Sequence, residues 1–97
     1  MVFNEKAKAQ NITTQTTTLV KTGTAILEKI IVNKATANGT IAIYDDVSAV
    51  SGSLKATITV PASVLLNHFV LDYDIVCEKG ITIVTGGANQ DITVTFR

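Results

Sequence analysis

His68 and Cys77 are the single histidine and single cysteine of the chain, and as a pair they come closest to a catalytic nucleophile. Such a pair works only when the imidazole lies within hydrogen-bond reach of the thiol. His68 sits inside the apolar run Val64 to Leu71, and Cys77 follows Ile75 and Val76. Both therefore read as packing residues, a histidine at the core edge and a thiol acting as a small hydrophobe. One His and one Cys also fall short of the roughly four nitrogen or sulfur ligands of a structural zinc site. The acidic clusters are Asp45-Asp46 and Asp72-Tyr73-Asp74. In an extended segment Asp72 and Asp74 share a side, which suits a weak divalent cation, but the chain lacks the glycine and terminal glutamate of a calcium loop. Aspartate at a strand end more commonly closes the pairing and solvates a turn. With their neighbouring aromatics, Tyr44, Asp45, Asp46, Asp72, Tyr73 and Asp74 are the candidate ligand-loop positions. Five aromatic residues without a tryptophan give no sugar platform for a glycosidase. The expectation is a protein that is not an enzyme, with no catalytic residues, no cofactor and no metal site.

These side chains must be positioned by strands. Thr, Val and Ile make up 37 of the 97 residues, and β-branched side chains fit a pleated surface better than a helix. Glycine and proline punctuate the chain at Gly23, Gly39, Gly52, Pro61, Gly80 and Gly86-Gly87. Between them lie the runs Ile12 to Val20, Thr24 to Lys34, Thr40 to Asp45, Leu54 to Val60, Val64 to Leu71, Tyr73 to Cys77, Ile81 to Thr85 and Asp91 to Phe96. In the last run Ile92, Val94 and Phe96 alternate with Thr93 and Thr95, the period of a half-buried antiparallel strand. Asn38-Gly39 predicts a tight two-residue hairpin between its flanking strands, and Gly86-Gly87, opening the connection Gly86 to Gln90, predicts a hairpin between the last two strands. Seven or eight short strands at this spacing predict an all-β fold, an antiparallel two-sheet β-sandwich of jelly-roll type.

The length allows one domain and one core. Residues 1–11 are polar with no burying period and read as a flexible arm; residues 12–97 form the sandwich. Eight basic and eight acidic side chains cancel, so no long-range field draws the chain to nucleic acid or to an anionic membrane. A lone cysteine gives no internal disulfide. No apolar leader-like run opens the sequence and no stretch reaches membrane-spanning length, which predicts folding in a cytosol. Zero net charge with 46% hydrophobic residues favours association. In the strand around Ile26 to Asn33, strict alternation puts Ile26, Ile30 and Val32 on one face and Leu27 and Ile31 on the other. Leu27 and Ile31 are therefore the candidate interface residues, covered either by a second subunit or by the loop Asp46 to Ser53.

Several segments carry a wider likeness: Thr17 to Gly23, Leu27 to Asn33, Gly39 to Asp45, and Gly80 to Gly87 followed by Ile92 to Arg97. Their strand-and-turn pattern resembles small all-β virion-associated proteins of tailed bacteriophages and marine viral genomes, over about Thr17 to Arg97. The resemblance implies a capsid decoration or a head, tail or fibre component that is a homo-oligomer or docks on other virion proteins. It places the chain in the virion and, during assembly, in the host cytoplasm. It transfers no functional residue. The alternative reading from another class is a carbohydrate- or surface-binding β-sandwich module using the Tyr44 and Tyr73 loops.

Overall fold

The β-branched runs form eight strands in a computed structural model that describes residues 7–63 and 68–97. They are β1 (Lys8–Ile12), β2 (Thr17–Thr22), β3 (Ala25–Lys34), β4 (Thr40–Tyr44), β5 (Leu54–Thr59), β6 (Phe69–Cys77), β7 (Gly80–Gly86) and β8 (Asp91–Phe96), with one 3-10 turn at Ser51–Ser53 before β5. Two four-stranded antiparallel sheets face each other, with orders β1-β8-β3-β6 and β2-β7-β4-β5. The pairs β1·β8, β2·β7, β3·β6 and β4·β5 nest like the rungs of one long hairpin with β4 and β5 at its tip. Rolling that hairpin over adds the pairs β3·β8 and β4·β7 and divides the strands between two layers. This is a jelly roll. No helix among the described residues is long and apolar enough to cross a membrane.

Every connection except β4 to β5 crosses between the sheets, which corrects two expected hairpins. β3 and β4 lie in different layers, so Asn38-Gly39 does not join paired strands. Asn38 alone takes the left-handed conformation, at φ 66°, in a turn closed by the Gly39 N–H donating to the Thr36 carbonyl at 3.0 Å. Backbone bonds between Asn38-Gly39 and Val60 then extend the β4·β5 pairing. Gly86-Gly87 likewise carries the chain from β7 in one layer to β8 in the other. Turn residues report that the chain bends; they do not report which strand it will pair with afterwards.

Three element boundaries also differ. The run Ile12 to Val20 is split, because the chain leaves one sheet after Ile12 and enters the other at Thr17. The buried Thr85 pins this crossing: its Oγ1 donates to the Thr14 carbonyl at 2.7 Å, and its backbone exchanges two bonds with Thr16. The expected arm of residues 1–11 does not hold for Lys8–Asn11, which belongs to β1 and pairs with β8; residues 1–6 lie outside the described residues. Four of the five β1 residues are exposed, so an edge strand held by backbone bonds carries no burying period to read. Conversely, Phe69–Cys77 is one continuous strand in which Asp72 is exposed; its register against β3 shifts between Asp72 and Ile75, where Asp74 is left-handed. The expected strand Val64 to Leu71 lies partly outside the described residues. One strand split and two merged leave the total at eight.

The core fills from both layers. Leu27, Ile30 and Val32 of β3, Ile41 and Ile43 of β4, Ile81 and Ile83 of β7, and Ile92 and Val94 of β8 are fully buried. Each such side chain contributes about 1.5–3 kcal/mol relative to exposure. The alternation expected of Ile92, Val94 and Phe96 holds.

Candidate interaction face

A bulge in β3 sets the outer face of the first sheet. Leu27 pairs with Phe96 and Lys29 with the adjacent Thr95 of β8, leaving Glu28 as an extra residue. An extra residue reverses the alternation beyond it. Leu27 therefore turns into the core on the same side as Ile30 and Val32, and Glu28 and Lys29 both face outward. This corrects the expectation for Leu27, which is fully buried and belongs to no interface. Ile31 does lie on the outer face, half-buried, beside Val70 of β6; Ile26 lies there beside Val76. Val70 and Val76 are 52% and 60% exposed. The loop after β4 does not shield this strand. It folds over the other sheet, where the Asp46 carbonyl accepts a 2.7 Å bond from Thr82 Oγ1 and leaves that threonine 1% exposed.

Between the two apolar rows lies an open depression lined by Glu28, Lys29, Asp72 and Asp74. Arg97 Nε holds Glu28 Oε2 at 2.8 Å, and longer contacts of 4.0 Å join Arg97 to Asp74 and Lys29 to Asp72. The two long pairs, whose carboxylates are exposed, contribute about 0–1 kcal/mol each. Asp74 is left-handed at φ 53°, a conformation aspartate tolerates better than most residues. Asp72 and Asp74 do share a side, as alternation predicts. Tyr73 points the opposite way and packs against the core.

The second acidic cluster is elsewhere and is occupied by its own backbone. Asp45 Oδ1 accepts the Lys79 N–H at 2.9 Å. Asp46 accepts the Val47 N–H at 2.8 Å and the Ser53 hydroxyl at 2.9 Å, with Lys79 Nζ at 3.9 Å. Tyr44, half-buried, sits on the other sheet between Thr82 and Leu54. The fold thus does not combine Tyr44, Asp45 and Asp46 with Asp72, Tyr73 and Asp74 into one site. Among the described residues no three His, Cys, Asp or Glu side chains are placed to hold a metal ion. His68 and Cys77 flank opposite ends of β6, about 30 Å apart at the rise of an extended strand, so they form no nucleophile pair. Cys77 is buried, and that burial pushes its thiol above its ordinary pKa.

Sequence reasoning missed a polar cluster at the far end of the same outer face. Asn11 of β1 and Asn33 of β3 both donate amide hydrogens to Asp91 Oδ1, at 2.8 and 3.1 Å, and Asn33 also donates to Thr93 Oγ1 at 2.9 Å. Positions 11, 33 and 91 are too distant in the chain for any spacing rule to join them.

These bonds have a consequence for acid stability. The Asn11 and Asn33 amides hold the Asp91 carboxyl below its ordinary range, and the Val47 N–H and Ser53 hydroxyl do so for Asp46. At Asp45 burial acts to raise the pKa, but the backbone N–H groups of Lys79, Glu78 and Gly80 outweigh it and the net direction is down. A carboxylate depressed in the folded state stabilises above its unfolded pKa of about 3.9, and that contribution is lost as pH falls through the folded value. Thermal melts should therefore be flat near neutrality and fall below about pH 4. In Asp45→Asn and Asp91→Asn the melting temperature starts lower at pH 7 and the acid slope is shallower. Melts of the three proteins from pH 3 to 7 check this.

On the opposite side of the sandwich Leu19, Val47, Val50 and Leu54 are each 43–48% exposed. Leu19 and Leu54 flank the Thr82 and Tyr44 row of the second sheet. Both outer sides of the sandwich thus carry apolar side chains in solvent. Comparison of the chain with protein-family models, with curated proteins and with solved structures finds no match.

Proposed function

We propose that the protein is a non-enzymatic structural component of a bacteriophage virion, a capsid decoration or part of a head, tail or fibre. It acts by binding copies of itself and neighbouring virion proteins. The observation that carries the reading is the exposure of large apolar side chains on both outer sides of the sandwich, Val70 and Val76 on one and Leu19, Val47, Val50 and Leu54 on the other. A unit in a shell or tube needs contacts on more than one side, and the jelly roll is an architecture that capsid domains use. Architecture alone does not assign function, so the weight rests on the exposed faces, on the zero net charge and on the resemblance of the strand pattern to phage proteins.

Size-exclusion chromatography with light scattering at micromolar concentration tests the association. The expected mass is a multiple of the 10.3 kDa chain. Val70→Glu with Val76→Glu should shift the protein toward monomer while changing the melting temperature little, since surface substitutions mostly stay within about 0.5 kcal/mol. A wild-type monomer at all concentrations overturns the self-association part. Location of the gene beside capsid, portal or tail genes tests the virion part.

A further inference from the structure

Strand β6 is the edge of its sheet, bonded to β3 on one side only among the described residues. Its sequence, Val70-Leu71-Asp72-Tyr73-Asp74-Ile75-Val76, reads nearly the same in both directions about Tyr73. We infer that the free edge of β6 is a contact for a second copy of this chain, paired antiparallel about a two-fold axis at Tyr73 and held off by the charges of Asp72 and Asp74. This is one specific form of the self-association proposed above and rests on that reading.

Residues directly opposite in an antiparallel ladder lie on the same face of the sheet. A copy centred on Tyr73 therefore places Val70 against Val76 of the second copy on the outer face. Leu71 meets Ile75, and the two Tyr73 side chains meet, on the inner face. Leu71, Tyr73 and Ile75 pack against the core yet stay only partly buried, so each has surface left to cover. Every position matches except one kind: Asp72 meets Asp74 twice, both 76% exposed at their side chains. Like charges directly opposite oppose pairing. Lys29 and Arg97 reach these carboxylates only at 4.0 Å from the neighbouring strands, which leaves the charge at the free edge incompletely offset. The left-handed Asp74 adds a kink of the kind that blunts exposed edges. The edge thus has a self-matching register with a repulsive centre.

Asp72→Asn with Asp74→Asn removes the repulsion, and asparagine tolerates the left-handed backbone. Removing two such oppositions strengthens dimer formation by about 2–30-fold. Asp72→Lys goes further, replacing both repulsions with Lys–Asp pairs. Sedimentation equilibrium of the wild type and both variants, at 0.1 M and 1 M NaCl, reads the association constants. Hydrogen exchange reads which amides become protected. The expected result is tighter dimers in both variants with new protection in Phe69–Cys77. High salt should strengthen the wild-type contact by screening like charges and weaken the Asp72→Lys contact by screening opposite ones. Unchanged association in both folded variants overturns the inference, as does a gain with protection only in β1, β2 or β5. A monomeric wild type with dimeric variants leaves this edge intact and removes constitutive self-association. An oligomeric wild type unmoved by either variant does the reverse.

Discussion

Leu27→Ala is expected to destabilise the protein by about 2–5 kcal/mol, the range for emptying a fully buried leucine site. In a domain of this size each kcal/mol lowers the melting temperature by roughly 4–8 °C. Ile31→Ala, half-buried on the outer face, should cost only about 1 kcal/mol. The contrast is informative because strict alternation treats the two residues alike, as outward partners four apart. The Glu28 bulge separates them: Leu27 lies against Phe96 and Ile75, fully buried, whereas Ile31 lies beside Val70 and Thr93. Denaturant unfolding of both variants at neutral pH makes the comparison. Equal losses, or a larger one at Ile31, would show that Leu27 faces solvent.

Gly87→Ala should be among the most damaging single substitutions in the chain, at about 3 kcal/mol or more. Gly87 sits at φ +75°, and a Cβ there would come within 2.2 Å of the Asn38 carbonyl oxygen. The obstacle is backbone, so no rotamer change relieves it; the two crossings, β3 to β4 and β7 to β8, would have to move apart. Two other glycines provide a graded control. Gly23 is also left-handed, at φ +87°, but nothing lies within 4 Å of its added Cβ, so Gly23→Ala should cost only the conformational term of about 1–2 kcal/mol. Gly52 has neither feature, and Gly52→Ala should stay within about 0.5 kcal/mol of wild type. The order Gly87, Gly23, Gly52 in thermal melts is the measurable outcome. A mild Gly87→Ala would mean that the crossings do not touch.

Some of the candidate site was legible from side-chain parity. Asp72 and Asp74 were expected on one side, and they are. The aspartates after Tyr44 were expected to serve a turn, and their oxygens are bound to the Lys79 and Val47 N–H groups and to Ser53. Parity failed at Leu27 because a bulge is one residue of backbone conformation, and Glu28 carries no side-chain signature of it. It also could not tell that Tyr73 and Tyr44 lie on different sheets, because both positions read equally well as strand residues.

Composition and punctuation by themselves determined the class of the fold: β-branched residues in short runs between turns admit an all-β sandwich, and Ile92, Val94 and Phe96 already specify which side of their strand is buried. Only the tertiary structure decided which runs pair. Asn38-Gly39 and Gly86-Gly87 favour a bend equally well whether the next strand returns beside the last one or crosses to the opposite layer. The choice is made by long-range ladders such as β1 with β8, more than 80 residues apart at Lys8 and Phe96, and by the burial of ten or so side chains contributed by both layers together. Those are energies of the assembled sandwich, and no local window of the chain contains them.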